Sequence, residues 1–289
     1  MLGAEADMTL YAVDRGQAGA ALDAALTECA RLEAIFSLYQ PDSALSRLNR
    51  DGRLDAAPFE LLELVSQALA LSAASGGTFD PTIQPLWRLL ADHFARPGAD
   101  PAGPSPAELA AIRPLIGHRN VVLEGRSIAF QRPGMQLTLN GIAQGYISDR
   151  VATLLESRGF AHALVNLGEA RAIDRRADGQ SWRIGIPASD AHRRMTAEVD
   201  LASGAVATSA ATGFLFDATG RFNHLIDPTS CRCADPHGSI TIVADTATIA
   251  DGLSTLGAVL PARELVPHLR RFGARAYVAS TDQPGAWLA

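Results

Sequence analysis

The chain has 289 residues and a mass of 30.4 kDa, with 47% apolar and 19% charged residues, a composition that builds an ordinary globular core. Its net charge of -6 and pI near 5.6, without any long basic run, exclude the phosphate-tracking surface of an electrostatic nucleic-acid binder. No run of about 18 apolar residues occurs, so the sequence encodes no transmembrane helix and no membrane-spanning role is expected.

The opening segment, MLGAEADMTLYAV, enters a strand within about eight residues and lacks the basic region and long apolar stretch of a secretory signal. Ala18 to Phe36 carries Leu22, Leu26, Cys29, Leu32 and Ile35 or Phe36 at helical spacing, which predicts an amphipathic helix. A loop is expected over SLYQPDSALSRLNRDG, marked by Pro41-Asp42-Ser43 and closed by Asp51-Gly52. Pro58 suits the first position of a second helix, Phe59 to Ser75, which stops before Gly76-Gly77. Arg96 to Pro106 is rich in Pro, Gly, Ala and Asp and is expected to be a loop or insertion within one domain covering 1–289. A short helix at Glu108–Ile116 precedes three short strands at Val121–Leu123, Ser127–Phe130 and Gln136–Leu139. A helix from about Ile142 to Ser157 ends at Arg158-Gly159.

Strands then dominate, at Ala163–Asn166, Ala170–Ile173, Trp182–Ile186, Ala197–Leu201, Ala205–Thr208, Asn223–Ile226 and Ser239–Val243. A helix carrying Asp251, another near Arg263–Phe272 and a strand at Ala276–Ala279 close the series. Helices mixed with hairpin-like strand runs favour an α+β fold over a doubly wound parallel sheet. The three cysteines read as one helix thiol, Cys29, and two loop thiols, Cys231 and Cys233, with no second pair to complete a zinc site.

Two segments carry chemistry. LTLNGIAQGYISDRV, Leu137 to Val151, reads as a strand running through glycines into a helix capped by Asn140, a place where free main-chain amides meet an anion. Gly141 and Gly145 could instead serve only to let helices pack closely. In TATIADGLSTLGAVL, Asp251 and Thr255 stand at i and i+4 and share one helical face. A carboxylate inside such a small, apolar helix needs a partner, either neighbouring amides and hydroxyls or a hard cation such as magnesium. Anion cradle and oxygen-ligated cation together suggest an enzyme acting on a phosphate or pyrophosphate. His224, with Asp227 three residues on, is structural or catalytic; Tyr39 stacks on a ligand or pins its loop; Asp80-Pro81-Thr82 is a turn or part of a site.

In their order, the motifs FSLYQPDSALSRLN, GGTFDPTIQPLW, LNGIAQGYISDRV, ALVNLGE, WRIGIP, GAVATSAATGF, FNHLIDP and TATIADGLSTL resemble the FAD:protein FMN transferases, the ApbE family of flavin transferases. The likeness runs from Met1-Leu2-Gly3 over nearly the whole chain. It implies a T-fold-like α+β architecture of mixed or antiparallel sheets with packed helices. It also implies an enzyme that moves the FMN part of FAD to a Thr or Ser hydroxyl of an acceptor flavoprotein, releasing AMP. Its cofactor would be magnesium, or manganese in its place. By resemblance, Asp251, Thr255 and the Ala143 main-chain carbonyl are metal ligands, which requires an irregular turn at Ala143. Tyr39 matches the residue stacked on the isoalloxazine ring, and His224 and Asp227 match an HxxDP element at the scissile phosphate. Asp80, Asn140, Gly141, Gln144, Asn166 and Gly168 fall in motifs that shape the flavin pocket.

The resemblance further implies acceptors in membrane-linked electron-transfer complexes and a location on the outer, periplasmic side of the cytoplasmic membrane, although the given chain shows no export leader. Two positions depart from the family pattern: Gln144 stands where many members have lysine, and Thr229, Ser230 and Cys231 replace an Arg-Thr-Gly continuation of HxxDP. An FAD pyrophosphatase and a non-catalytic flavin-binding protein remain the rival readings.

Overall fold

A computed structural model describes residues 6–187, 195–235, 237–280 and 285–288. In chain order, β1 (Asp7–Leu10) leads into α1 (Arg15–Phe36), α2 (Ala44–Asp51), the short β2 (Arg53–Leu54) and α3 (Phe59–Ala74). A 3-10 turn at Pro81–Ile83 precedes α4 (Gln84–Phe94) and α5 (Pro106–Ile112), and β3 (Val121–Glu124) and β4 (Ser127–Phe130) form a hairpin. Next come α6 (Ala143–Ser157), β5 (Ala163–Asn166), β6 (Ala170–Ala172), β7 (Trp182–Pro187), β8 (Met195–Leu201) and β9 (Gly204–Ala210). The described chain ends with β10 (Gly238–Ala244), α7 (Ala247–Val259), α8 (Ala262–Arg271), β11 (Arg275–Ser280) and β12 (Ala286–Leu288).

Seven strands form one sheet in the order β1-β5-β6-β9-β10-β11-β12, and every pairing in it is antiparallel. Its helix-covered face holds the main core, where Leu32 and Phe36 of α1, Leu61 and Leu64 of α3, Ile147 and Val151 of α6 and Leu253 and Leu256 of α7 are buried. Each such side chain contributes about 1.5–3 kcal/mol by leaving water. The β7–β8 hairpin covers the other face, packing Trp182, Ile186, Val199 and Leu201 on Val206 and Tyr277. The expected α+β class and antiparallel sheet are therefore present, and the alternating burial of β5 and β6 follows from one face meeting helices and the other the hairpin.

Several local expectations shift. The segment read as a loop contains α2, capped by the Ser43 hydroxyl on the Ser46 amide at 3.0 Å and closed by Gly52 at φ 72°; its polar residues conceal a short amphipathic helix with Leu45 and Leu48 inward. Pro58 is the N-cap of α3 rather than its first helical residue, and the short helix expected at Glu108 begins at Pro106 behind a Ser105–Glu108 capping box. Gln136–Leu139 forms no strand; Leu137 is hydrogen-bonded in both directions to the Asn49 side-chain amide, at 2.7 and 2.8 Å. Asn223–Ile226 is likewise no strand; it lies in a loop with isolated bridges from Leu215 to Asn223 and from Ile226 to Cys233. Residues 95–105 carry neither helix nor strand, and Pro106, the last residue of the expected loop, opens α5. Among the described residues no helix is long and apolar enough to cross a membrane.

Candidate active site

The site grows from the contact between α6 and α7. Both helices are rich in small residues there, and Gly145 lies so close to α7 that a Cβ would run into the Ala247 carbonyl and stand 2.8 Å from the Asp251 Cβ. That approach lets the Gly145 amide donate to Asp251 Oδ2 at 2.9 Å. The first-turn amide expected to cradle a ligand anion is thus engaged by the protein's own carboxylate. One turn along, Thr255 Oγ1 donates to the Gly141 carbonyl at 3.3 Å, and a Cβ on Gly141 would stand 2.8 Å from that oxygen. Both glycines are required for close approach, as the packing alternative held, and the same approach positions the polar groups.

Asn140 does not cap α6. Ile142 occupies the N-cap position with φ −157°, no side chain caps the helix, and Asn140 is exposed with its amide donating to Thr138 Oγ1 at 3.2 Å. The backbone irregularity expected at Ala143 lies one residue earlier, at Ile142; Ala143 itself is buried as the first residue of α6.

Asp149, which the sequence reading passed over, fixes the start of α7. Its Oδ1 accepts from the Ala247 amide at 2.9 Å and from Arg171 Nε at 3.0 Å. Its Oδ2 accepts from the Thr248 amide at 2.8 Å and the Thr248 hydroxyl at 2.6 Å. A carboxylate on α6 therefore satisfies free N–H groups at the start of α7, where the helix dipole also favours negative charge. Nothing local in the sequence marks Asp149, since its partners on α7 lie about a hundred residues away.

Asp251 is 4% exposed. Burial pushes its carboxyl up to about 7; the Gly145 amide opposes that rise and the nearby Asp149 charge adds to it. Glu169, also absent from the sequence-based assignments, lies 6% exposed in the β5–β6 turn, and burial followed by the Asp251 charge drives it well above the ordinary carboxylate value.

A cavity of about 740 Å³ opens beside this seam, within the usual size of a small-molecule site. Asp251, Thr255, Gly141, Gln144 and Asn140 line it from the seam, and Asn166, Gly168 and Glu169 from the β5–β6 turn. Gly168 makes that turn at φ 109°, a conformation open to glycine, and Asn166 Nδ2 donates to Asp7 Oδ1 at 2.7 Å. Tyr39, 76% exposed in the α1–α2 loop, projects at the cavity wall instead of pinning its loop to the core; Ser37 and Ser43 hold that loop through short hydroxyl bonds. Asp80 lines the cavity too, but both oxygens are already engaged: Oδ1 by the Thr82 amide and hydroxyl at 2.9 and 2.6 Å, Oδ2 by the His118 amide at 2.9 Å. It braces the wall and leaves ligand contact to others.

His224 reaches the same cavity. Its Nδ1 lies 3.2 Å from the Phe214 carbonyl, which can only accept, so Nδ1 carries the hydrogen and Nε2 keeps a lone pair. Burial holds the imidazole below its ordinary value, against the Phe214 bond. Asp227 and Ala143 are the two sequence-based site residues that do not line the cavity. Asp227 Oδ1 accepts from the Thr229 amide and hydroxyl at 2.9 and 2.7 Å, and Oδ2 from the Ser230 hydroxyl at 2.6 Å. Burial alone would raise its carboxyl, but those hydroxyls outweigh it and hold the group ionised. Its geometry is that of a loop organiser rather than a reacting acid.

The model of the ApbE family matches residues 2–278. The chain belongs to the ApbE family. A FAD:protein FMN transferase of Vibrio cholerae is 32% identical over 228 residues, covering 76% of this chain and 67% of the relative. Its Salmonella typhimurium counterpart is 30% identical over 267 residues, 88% of this chain and 75% of the relative. Among solved structures, an ApbE protein from Thermotoga maritima superposes with a TM-score of 0.86 at 26% identity, covering 99% of this chain and 94% of its own. The flavin transferase ApbE from Vibrio cholerae gives 0.79 at 26% identity, over 99% and 97% of the two chains. The ApbE motifs of the sequence are thus the elements that converge on the cavity: the α6 entry, the α7 carboxylate, the β5–β6 turn and the His224 loop.

Proposed function

We propose that this protein is a FAD:protein FMN transferase that moves the FMN part of FAD to a Thr or Ser hydroxyl of an acceptor flavoprotein and releases AMP. One observation carries the reading: the 740 Å³ cavity gathers Asp251 and Thr255, the aromatic Tyr39 and the imidazole of His224 around one space. The relatives' shared activity supports it.

The donor set fits a hard divalent cation, since the Asp251 carboxylate, the Thr255 hydroxyl and the Gly141 carbonyl meet at the seam. By the family resemblance, Asp251 and Thr255 from the cavity wall and the Ala143 carbonyl from behind it would hold magnesium or manganese. A cation bound there supplies charge stabilisation at the diphosphate oxygens of the dinucleotide.

The chain's own groups divide the remaining tasks. Gly145 holds one oxygen of Asp251 and so fixes the direction of its carboxylate. Tyr39 offers an exposed ring for stacking on the isoalloxazine, while Asn140, Gly141, Gln144, Asn166 and Gly168 border the flavin. His224 Nε2 takes the proton of the acceptor hydroxyl. The hydroxyl oxygen then bonds to the FMN phosphorus, the bridging P–O bond to AMP breaks, and AMP departs with the bridging oxygen. Asp227 keeps the His224 loop in shape. The acceptor is assigned, through the family resemblance, to a subunit of a membrane electron-transfer complex.

Incubation with FAD, magnesium and an acceptor domain, followed by intact mass measurement, tests the assignment. FMN mass on the acceptor supports transfer. Free FMN and AMP with an unmodified acceptor support hydrolysis, and intact FAD supports binding alone; either result rejects transferase activity.

A further inference from the structure

Glu169 stands out in the cavity. It extends from the turn that follows Gly168, its main-chain carbonyl is held by the Ser148 hydroxyl at 3.2 Å, and its carboxylate takes a hydrogen bond from the Thr208 amide. The main chain is thus held by Ser148 and the carboxylate by Thr208. Yet Oε2 is buried and has no hydrogen-bond partner among the described residues, and the residue lines the cavity together with Asp251. Asp80 in the same wall has both oxygens satisfied. Fold stability alone gives no reason to keep an unpaired buried carboxylate oxygen, least of all within range of a second carboxylate.

Two carboxylates brought to one space by different elements, the β5–β6 turn and α7, repel each other when ionised and attract a cation in proportion. We propose that Glu169 is a further positioning carboxylate of the divalent-cation site, so that the protein holds the cation before the dinucleotide arrives. The inference rests on the reading of Asp251 and Thr255 as cation ligands, and it extends that site to the β5–β6 turn. Because Glu169 is fixed by Ser148 and Thr208, its contribution is pre-organised and lowers the concentration of cation needed to load the site.

Titration of Mn2+ alone into the flavin-free protein, followed by electron paramagnetic resonance, tests this. Wild-type protein should bind Mn2+ without dinucleotide, and Glu169→Gln should weaken that binding at least about tenfold while leaving FMN affinity in EDTA unchanged. Glu169→Asp, which keeps the charge but withdraws it by one methylene, should fall between the two; circular dichroism verifies that each variant is folded. Asp251→Asn is the control for the underlying site. If Asp251→Asn loses Mn2+ and Glu169→Gln does not, the inference fails and the site reading stands. If both variants bind Mn2+ like wild type, the site reading itself fails. Weakened FMN binding in EDTA by Glu169→Gln, without a change in Mn2+ affinity, would make Glu169 a flavin contact and overturn the proposal.

Discussion

The α6–α7 seam and the loop from Phe214 to Cys233 both line the cavity, yet they are held together in opposite ways. The seam is tertiary: Gly145 meets Asp251 across 106 residues, and Asp149 meets Ala247 across 98. The loop is local: Asp227 binds Thr229 and Ser230 two and three residues away, and Asn223 Oδ1 accepts from the Leu225 amide at 3.1 Å. In the seam each atom depends on two helices lying in one relation, so a single added carbon disturbs the whole. The loop carries its own template, so a change there acts near its own position.

Gly145→Ala breaks the comparison hardest. The added methyl has only the Ala247 main chain and the Asp251 Cβ to displace, and backbone cannot rotate aside as a side chain can. The variant should lose about 3 kcal/mol in chemical denaturation, and cation binding with it. His224→Ala should leave stability nearly unchanged and slow transfer roughly a hundredfold or more, read as acceptor modification per unit time at saturating FAD. Asp149→Ala strips the acceptor from Ala247, Thr248 and Arg171 and should cost about 2 kcal/mol; Asp149→Asn, which keeps an acceptor oxygen, should recover part of it.

Smaller effects belong to the loop. Cys231 holds φ 58°, the left-handed region, with its amide donating to the Asp227 carbonyl at 2.8 Å. Cys231→Gly should relieve that strain and stabilise the fold by about 0.5–1 kcal/mol, after the entropy a glycine loses on folding; an unchanged or lowered melting temperature would show the conformation to be unstrained. The smallest effect is the pH dependence of stability that the His224 imidazole contributes. Its folded-state pKa lies below the ordinary value of 6.5 because burial disfavours the cation. The stability it contributes is therefore fully present above the unfolded-state value and is lost as pH falls through the depressed folded one. An NMR titration should place its midpoint below 6.5.

The same contrast decides what was legible in the sequence. Asp251 stood out because Ala247, Ala250, Leu253 and Leu256 surround it with buried small and apolar residues, and a carboxylate in that company needs a reason. The α+β class was legible from helices mixed with hairpin-like strand runs, the antiparallel sheet through the family resemblance, and the family motifs from their order. Contacts made at a distance were not. Asn49 claims both main-chain groups of Leu137, so a segment with strand composition has no strand neighbour. Asp149 and Glu169 looked like ordinary charges, since their partners lie on other elements. Asn140 had a capping residue's identity, but the turn at Ile142 moves the helix start beyond its reach. Gln144 lines the cavity without adding charge, so the charge beside the seam comes from its acidic groups.

The central claim is that Asp251, fixed by Gly145, governs flavin transfer through the cation site. Intact mass of an acceptor domain incubated with FAD, magnesium and either wild-type protein or Asp251→Asn tests it most directly. The account predicts FMN mass on the acceptor with wild type and an unmodified acceptor with the variant, although the variant still binds flavin. Equal modification by the two proteins would contradict it.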